Sequence, residues 1–382
     1  MRFSLISSAI VASLIGYGST IALLLAAAAA LGATPAQSAS WVFAICLAKG
    51  LASGILSFYT RVPVVLAWST PGLALMAATK GVSMPEAVGA FLVAAGLMVL
   101  TGAWGPLGRL VQRIPDGVAA GMLAGVLLPF CLPLLQAAAA LPPLVLPMVV
   151  VFALVRLKNP NLAVLSALTL GVGLAFATGA AQLPPLALPL PQLTLIAPEF
   201  RASVMLGLGL PLYLVTMASQ NLPGFAVQRA AGYTATVRPG LIGTGLASGL
   251  SAFAGASTIS MAAITAAICL SDDTHPDRNQ RWKVGLSYGA VWGLLGLFSP
   301  LIIPIIASLP PPIIAALVGL GLLGPLMGAA TGAFSHPDQR FAGLVTLITT
   351  ASAVPFFGIG SAFWGLLAGV TIYGMEQWVK KP

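Results

Sequence analysis

Groups that carry or transfer protons are scarce in this chain, which has eight Asp and Glu and two His in 382 residues. Glu86, Asp116, Glu199, Asp272, Asp273, Asp277, Asp338 and Glu376 fall in expected loops or at the ends of apolar runs, and His275 and His336 fall in loops. An enzyme working inside a membrane needs clustered acid, base or nucleophilic groups at membrane depth, and the apolar runs hold none. Charge of either sign is also short. With 7% charged and 58% hydrophobic residues and a mean hydropathy of +1.01, a soluble globular domain is excluded. Cys46, Cys131 and Cys269 are odd in number and unclustered, each inside an apolar run. They read as buried structural residues, not as a disulfide frame or a metal site. The chain has no GxxxxGK[ST] loop, which argues against an ATP-driven pump. The apolar runs do not alternate with polar residues, which excludes a membrane β-barrel. The net charge of +9 does not point to nucleic acid, because the basic residues are scattered over short loops. Residues 271–283 combine His275 with three aspartates but without regular ligand spacing, and read as a solvated connector. No cofactor and no metal is implied.

What remains is apolar sequence of helical length, repeated from Leu5 to Trp378. Such a chain is an all-α polytopic membrane protein in the lipid bilayer. Spans are expected near residues 4–30, 40–58, 62–79, 85–104, 116–135, 142–155 and 161–179. After a proline-rich connection at 182–198, seven more are expected near 203–227, 239–255, 257–270, 284–304, 312–333, 341–356 and 359–378. The first apolar stretch runs to about Leu31, too long for a signal-peptide core of roughly 7–15 residues, and reads as the first span, interrupted at Gly16-Tyr17-Gly18-Ser19-Thr20. With both termini in the cytoplasm, fourteen of the seventeen Lys and Arg fall on the cytoplasmic side. Lys80 and Arg201 fall outside, and Lys49 lies within a span. An error in the count would reverse this asymmetry from that point onward, so fourteen crossings are predicted.

The third span is broken. Val62-Pro63-Val64-Val65-Leu66 reads as extended, and a half-helix runs from Leu73 to Thr79, with Thr70 placed as its N-cap and Pro71 in its first turn. Ser69, Thr70, Pro71 and Gly72 therefore surround a helix N-terminus at mid-membrane, where free N–H groups suit an anion. Ser257-Thr258 is taken as the second copy, 188 positions on (257 − 69), with Ser260 and Thr265 further along that half-helix. Gly102-Ala103-Trp104-Gly105-Pro106-Leu107 is likewise echoed by Leu297-Phe298-Ser299-Pro300-Leu301, at an offset of roughly 194–196. Seven spans is an odd number, so these echoes predict two inverted repeats, residues 1–182 and 198–382, whose broken segments meet near the midplane and mark a transporter's site.

Three other places carry polar chemistry. Gln220-Asn221, beside Pro223-Gly224, is either substrate-contacting or interhelical glue. Tyr17 either stacks on an aromatic ring or packs. Lys49, the only charge deep in a span, either neutralises an anion, relays a proton or snorkels to an interface.

The segments Ala67-Trp68-Ser69-Thr70-Pro71-Gly72 and Ala218-Ser219-Gln220-Asn221-Leu222-Pro223-Gly224-Phe225 resemble the benzoate:proton symporters (BenE type), along essentially the whole chain. That family is similar to the uracil/xanthine and SLC26-type transporters. The resemblance implies a core domain of about 1–104 plus 198–306 and a gate domain of about 105–182 plus 307–382. It also implies substrate held between them, alternating access, and a homodimer through the gate domain. The expected partners are benzoate or another small aromatic carboxylate and protons, in a bacterial-type inner membrane. Uracil-type relatives carry glutamates in spans 8 and 10. Here those places hold Ser219-Gln220-Asn221 and Ile264-Thr265, which suits a carboxylate better than a nucleobase.

Overall fold

The computed structural model describes residues 3–106, 114–184 and 190–379. Arg2, Arg109, Arg113, Lys380 and Lys381, which entered the charge argument, lie outside the described residues, as do Leu107 and part of the proline-rich connection.

Helices α1 (Phe3–Ala30) and α2 (Pro35–Thr60) precede strand β1 (Leu66–Trp68) and the half-helix α3 (Thr70–Ala78). Then come α4 (Met84–Ala103), α5 (Asp116–Ala140), α6 (Pro142–Lys158) and α7 (Pro160–Ala177). After the connection, α8 (Ala202–Ala230) and α9 (Val237–Ala252) lead to strand β2 (Ile259–Met261) and the half-helix α10 (Ile264–Leu270). The chain ends with α11 (Lys283–Leu297), α12 (Ser299–Ala307), α13 (Pro311–Phe334), α14 (Arg340–Ala351) and α15 (Ser361–Val379). Among the described residues six helices are long and apolar enough to cross a membrane: α1, α2, α4, α5, α8 and α13. The pair α11 and α12, bent by 59° at the break at Phe298, makes a seventh if taken as one span.

Local sequence accounts for the helix ends. Thr34 and Gln37 form a reciprocal capping box at the start of α2, with Pro35 in the first turn. The expected interruption of α1 at Gly16–Thr20 is absent, and the helix runs through it unbroken. Thr20 supports this by bonding back to Gly16 O at 2.7 Å, the local bond that hydroxyl side chains make inside helices. Before Pro223 the helix α8 makes a widened π turn at Met217–Asn221, and a second π turn lies at Met205–Gly209. Each contains the residue four positions before a proline, Pro223 or Pro211. The missing N–H and the ring clash at that spacing force the helix to widen.

β1 and β2 pair antiparallel, Leu66 with Met261, Ala67 with Ser260 and Trp68 with Ile259. The register is symmetric about Ala67 and Ser260 at an offset of 193 (260 − 67). The half-helices start 194 apart (264 − 70), so the offset of 188 is corrected. Ser257 and Thr258 precede β2 and do not begin α10, whose N-cap position is Ala263. The cap of α3 also moves by one residue. Ser69 is the N-cap, its Oγ accepting from Gly72 N at 3.2 Å, and Thr70 is the first helical residue. The segment from Ser271 to Lys283 is more than a solvated connector. Buried Arg281 donates to Leu270 O at 3.0 Å and pairs with Asp272, which caps the C-terminal end of α10.

α2 and α11 cross with their backbones in contact. A Cβ added at Gly289 would lie 2.5 Å from Gly50 O, and one added at Gly50 would lie 2.8 Å from Gly289 O. Small residues at such crossings let backbones approach where lipid supplies no hydrophobic drive. Gly289→Leu is therefore expected to lower stability by about 1–3 kcal/mol, read as a drop in the melting temperature of detergent-purified protein. Gly293→Ala, on the same helix with nothing within 4 Å of an added Cβ, is expected to leave it unchanged.

Candidate functional site

The paired strands put irregular backbone in the protein interior, and hydroxyls from neighbouring helices satisfy it. Ser57 Oγ accepts from Val64 N at 2.8 Å and Ser53 Oγ from Leu66 N at 3.1 Å, both from α2. From α9, Ser248 Oγ accepts from Ile259 N at 2.8 Å in the matching place. Asn221 Oδ1 accepts from Met261 N at 2.9 Å, and Tyr288 donates to Leu66 O at 2.9 Å. Thr216 joins Ser69 and Thr258 through hydroxyl contacts of 2.9 and 3.1 Å, and Ser69 N donates to Thr258 O.

A cavity of about 830 Å³ opens beside this crossing. Of the expected site residues, Lys49, Thr70, Pro71, Gln220 and Thr265 line it. Tyr17, Ser69, Gly72, Asn221, Ser257, Thr258 and Ser260 are not in its lining. Ser69, Asn221 and Thr258 make the architectural bonds just described, and Ser260 donates to Ala67 O at 3.3 Å. Gly72 packs against Leu212 and its own cap residue. Ser257 Oγ and Tyr17 Oη are buried without a hydrogen-bond partner.

The α3 terminus is a poorer anion site than its sequence suggests. Pro71 has no N–H, Gly72 N bonds Ser69 Oγ, and Leu73 N bonds Ser69 O. Thr70 lines the cavity. α10 has seven residues, and Ala263 brings no side-chain acceptor to its first-turn N–H groups.

Lys49 is the centre of the site. The residue is 1% exposed, its Nζ lies 3.0 Å from the Trp292 ring centroid and 3.6 Å from that of Trp68, and it lines the cavity. Among the described residues its ammonium donates no hydrogen bond and pairs with no carboxylate; the ion pairs are Arg201 with Glu86 and Arg281 with Asp272. Snorkelling is thereby replaced by burial. A membrane-buried lysine costs about 2.5–3.5 kcal/mol on insertion scales, and a desolvated cation–π contact returns about 2 kcal/mol. The indoles offset only part of the cost and accept none of the three N–H bonds, so the charge stays without a counter-ion.

The indoles are themselves held in place. Trp68 Nε1 donates to Thr20 Oγ1 at 2.5 Å, and the Trp68 and Trp292 rings meet edge-on at 5.2 Å. Tyr17 packs on both rings at 5.9 Å, and Tyr288 on Trp292 at 5.9 Å. Sequence reasoning missed Trp292, Tyr288 and Thr20. The one signal available was the spacing of Tyr288 and Trp292, four apart on one face of a helix. α5, α6, α7 and α13 also line the cavity, with Leu123, Phe152, Val164 and Leu320, and Asp116, Arg156 and His336 line it from the ends of α5, α6 and α13.

Residues 1–375 match the family described as Benzoate membrane transport protein. The chain belongs to that family. It is 41% identical over 366 residues to Inner membrane protein YdcO of Escherichia coli, covering 95% of this chain and 93% of that one. It is 35% identical over 363 residues to the Benzoate membrane transport protein of Acinetobacter baylyi, covering 95% and 92%. The fold matches the transmembrane domain of a cyanobacterial bicarbonate transporter, BicA, with TM-score 0.61 and 14% identity over 97% of this chain and 98% of that chain. It also matches murine Slc26a9, an anion transporter in the inward-facing state, with TM-score 0.61 and 13% identity over 99% and 68%. This member of the benzoate transport family is thus a membrane transporter and not an enzyme, with the fold shared by those anion carriers.

The two amides of its signature segment should separate by experiment. Asn221→Ala strips Met261 N–H of its acceptor and is expected to destabilise the protein by about 1–3 kcal/mol. Gln220→Ala, at the cavity wall, should leave the melting temperature of the purified protein unchanged.

Proposed function

We propose that this transporter imports a small aromatic carboxylate, benzoate first, together with protons across the bacterial inner membrane by alternating access. The observation that carries the reading is Lys49, a buried amine without a counter-ion that lines the cavity between two indole faces. A carboxylate supplies the missing charge and accepts the unmade hydrogen bonds, while Trp68, Trp292 and the aliphatic lining take the ring. Thr70, Gln220 and Thr265 offer polar contacts at the same wall. Tyr17, Ser69, Asn221 and Thr258 serve the site from behind by holding the indoles and the strands.

Counting the broken and shorter helices as crossings gives fourteen spans in two inverted repeats, 1–182 and 198–382. The 193 offset of the strand register and the matching roles of Ser53 and Ser248 support that plan. The cavity lies between residues of the core, about 1–104 plus 198–306, and residues of the gate, about 105–182 plus 307–382. Asp116, Arg156 and His336 line it from the ends of α5, α6 and α13. With both termini in the cytoplasm, those helix ends face inward. A homodimer through the gate completes the reading.

The same fold could serve a nucleobase or another anion, or conduct as a channel. Among the described residues no carboxylate pairs with Lys49, which favours the aromatic acid over the nucleobase. The test is counterflow of labelled benzoate in proteoliposomes. Saturable counterflow is expected, competed by salicylate and not by uracil or sulfate. Lys49→Met should weaken benzoate affinity about 10- to 100-fold, the value of a charge-assisted bond of roughly 1.5–3 kcal/mol. Non-saturating flux, or competition by uracil or sulfate alone, would replace this reading by one of the rivals.

A further inference from the structure

We infer that Lys49 is the proton carrier of the transport cycle, and this rests on the reading of the site as a benzoate site. The groups facing its amine are few. Cys46 lies one turn earlier on α2, Tyr17 comes from α1, and Tyr288 comes from α11 with Cys269 behind it. β1 and α11 present the uncharged rings of Trp68 and Trp292. Asp116, Arg156 and His336 line the same cavity from the ends of α5, α6 and α13, and none of them pairs with Lys49. Glu86 is already used, accepting from Ser83 N at 2.9 Å and pairing with Arg201 at 3.0 Å. Among the described residues, no carboxylate or imidazole pairs with Lys49 to exchange a proton with it.

A buried ammonium without a counter-ion is unfavourable, and a buried carboxylate without one is equally so. Each removes the other's penalty. The empty site therefore favours release of the Lys49 proton, and the arrival of a carboxylate stabilises the ammonium. The amine lone pair takes one proton from water on the side where the cavity is open, forming the third N–H bond of an ammonium. The ammonium then pairs with the anion. On the other side the carboxylate leaves and the proton returns to water, so the carrier resets as the amine. One proton and one monoanion cross together, and the cycle moves no net charge. The two indoles assist by tolerating the cation without competing for its protons.

Arginine separates charge from proton transfer, because its guanidinium stays protonated in proteins. Where Lys49→Arg keeps measurable benzoate counterflow in proteoliposomes, it is expected to lose accumulation driven by an inward proton gradient, which the wild type shows. Gradient-driven accumulation by Lys49→Arg equal to wild type would overturn the assignment. Should that variant give no counterflow, the purified wild type decides. It should take up about one proton per benzoate bound near pH 7 in weak buffer. Isotope-edited infrared spectra of carboxyl-labelled benzoate should at the same time show carboxylate bands. No proton uptake, or a carboxylic acid band that places the proton on the substrate, would overturn it. Absence of benzoate counterflow in the wild type would instead sink the substrate reading on which it rests.

Discussion

Two stretches of non-helical backbone must survive where no water can satisfy them, and the rest of the structure depends on how they do so. Non-helical backbone at membrane depth persists only when it is buried in protein or lines a cavity. β1 and β2 solve this by bonding each other, and Ser53, Ser57, Ser248, Asn221 and Tyr288 complete the set. The half-helices then start in fixed positions on either side of the pair. Most hydroxyl and amide groups near the midplane are committed to this task. What they leave at the cavity wall is a short set, chiefly Lys49, Thr70, Gln220 and Thr265.

The second constraint is the contact between α2 and α11. Gly50 follows Lys49 directly and meets Gly289, three residues before Trp292. That crossing places the amine against the indole at 3.0 Å, closer than helices separated by larger side chains would allow. The close approach and the buried charge are thus one feature of sequence, a lysine and a tryptophan each beside a glycine seam. Thr20 and Tyr17 add the third wall from α1, so the cluster is held from three helices and a strand.

The sequence legibly carried the helical plan because membrane helices need long apolar runs, and elements stand near each expected place. It carried the existence of the broken segments because proline and small polar residues interrupt those runs. Pairing partners were harder. Ser257-Thr258 looks like Ser69-Thr70, but residue type does not set strand register, and the residues that face each other at the centre of the ladder are Ala67 and Ser260. Asn221 reads as a ligand because an amide in an apolar span must bond something. Only the fold shows that its partner is the backbone of Met261. Trp292 was illegible for the opposite reason, since one aromatic residue in an apolar helix has no mark that separates a site wall from packing.

Lys49 gains its meaning from a balance of magnitudes. At an effective dielectric constant of about 20, two unit charges 4 Å apart attract by about 4 kcal/mol. Placing a lysine at membrane depth costs about 2.5–3.5 kcal/mol. A monoanion therefore supplies an attraction of the same size as the cost of keeping the ammonium, and a neutral ligand supplies none of it. On the proposed assignment, charge selectivity and proton coupling follow from one residue. The anion that is recognised is also the group that makes the proton worth holding. A carboxylate carrier in the protein would couple the two only by relief of repulsion, since its ionised form repels the substrate and its protonated form supplies no counter-charge. The scarcity of acidic residues in the apolar runs leaves the attraction between Lys49 and an anion uncancelled.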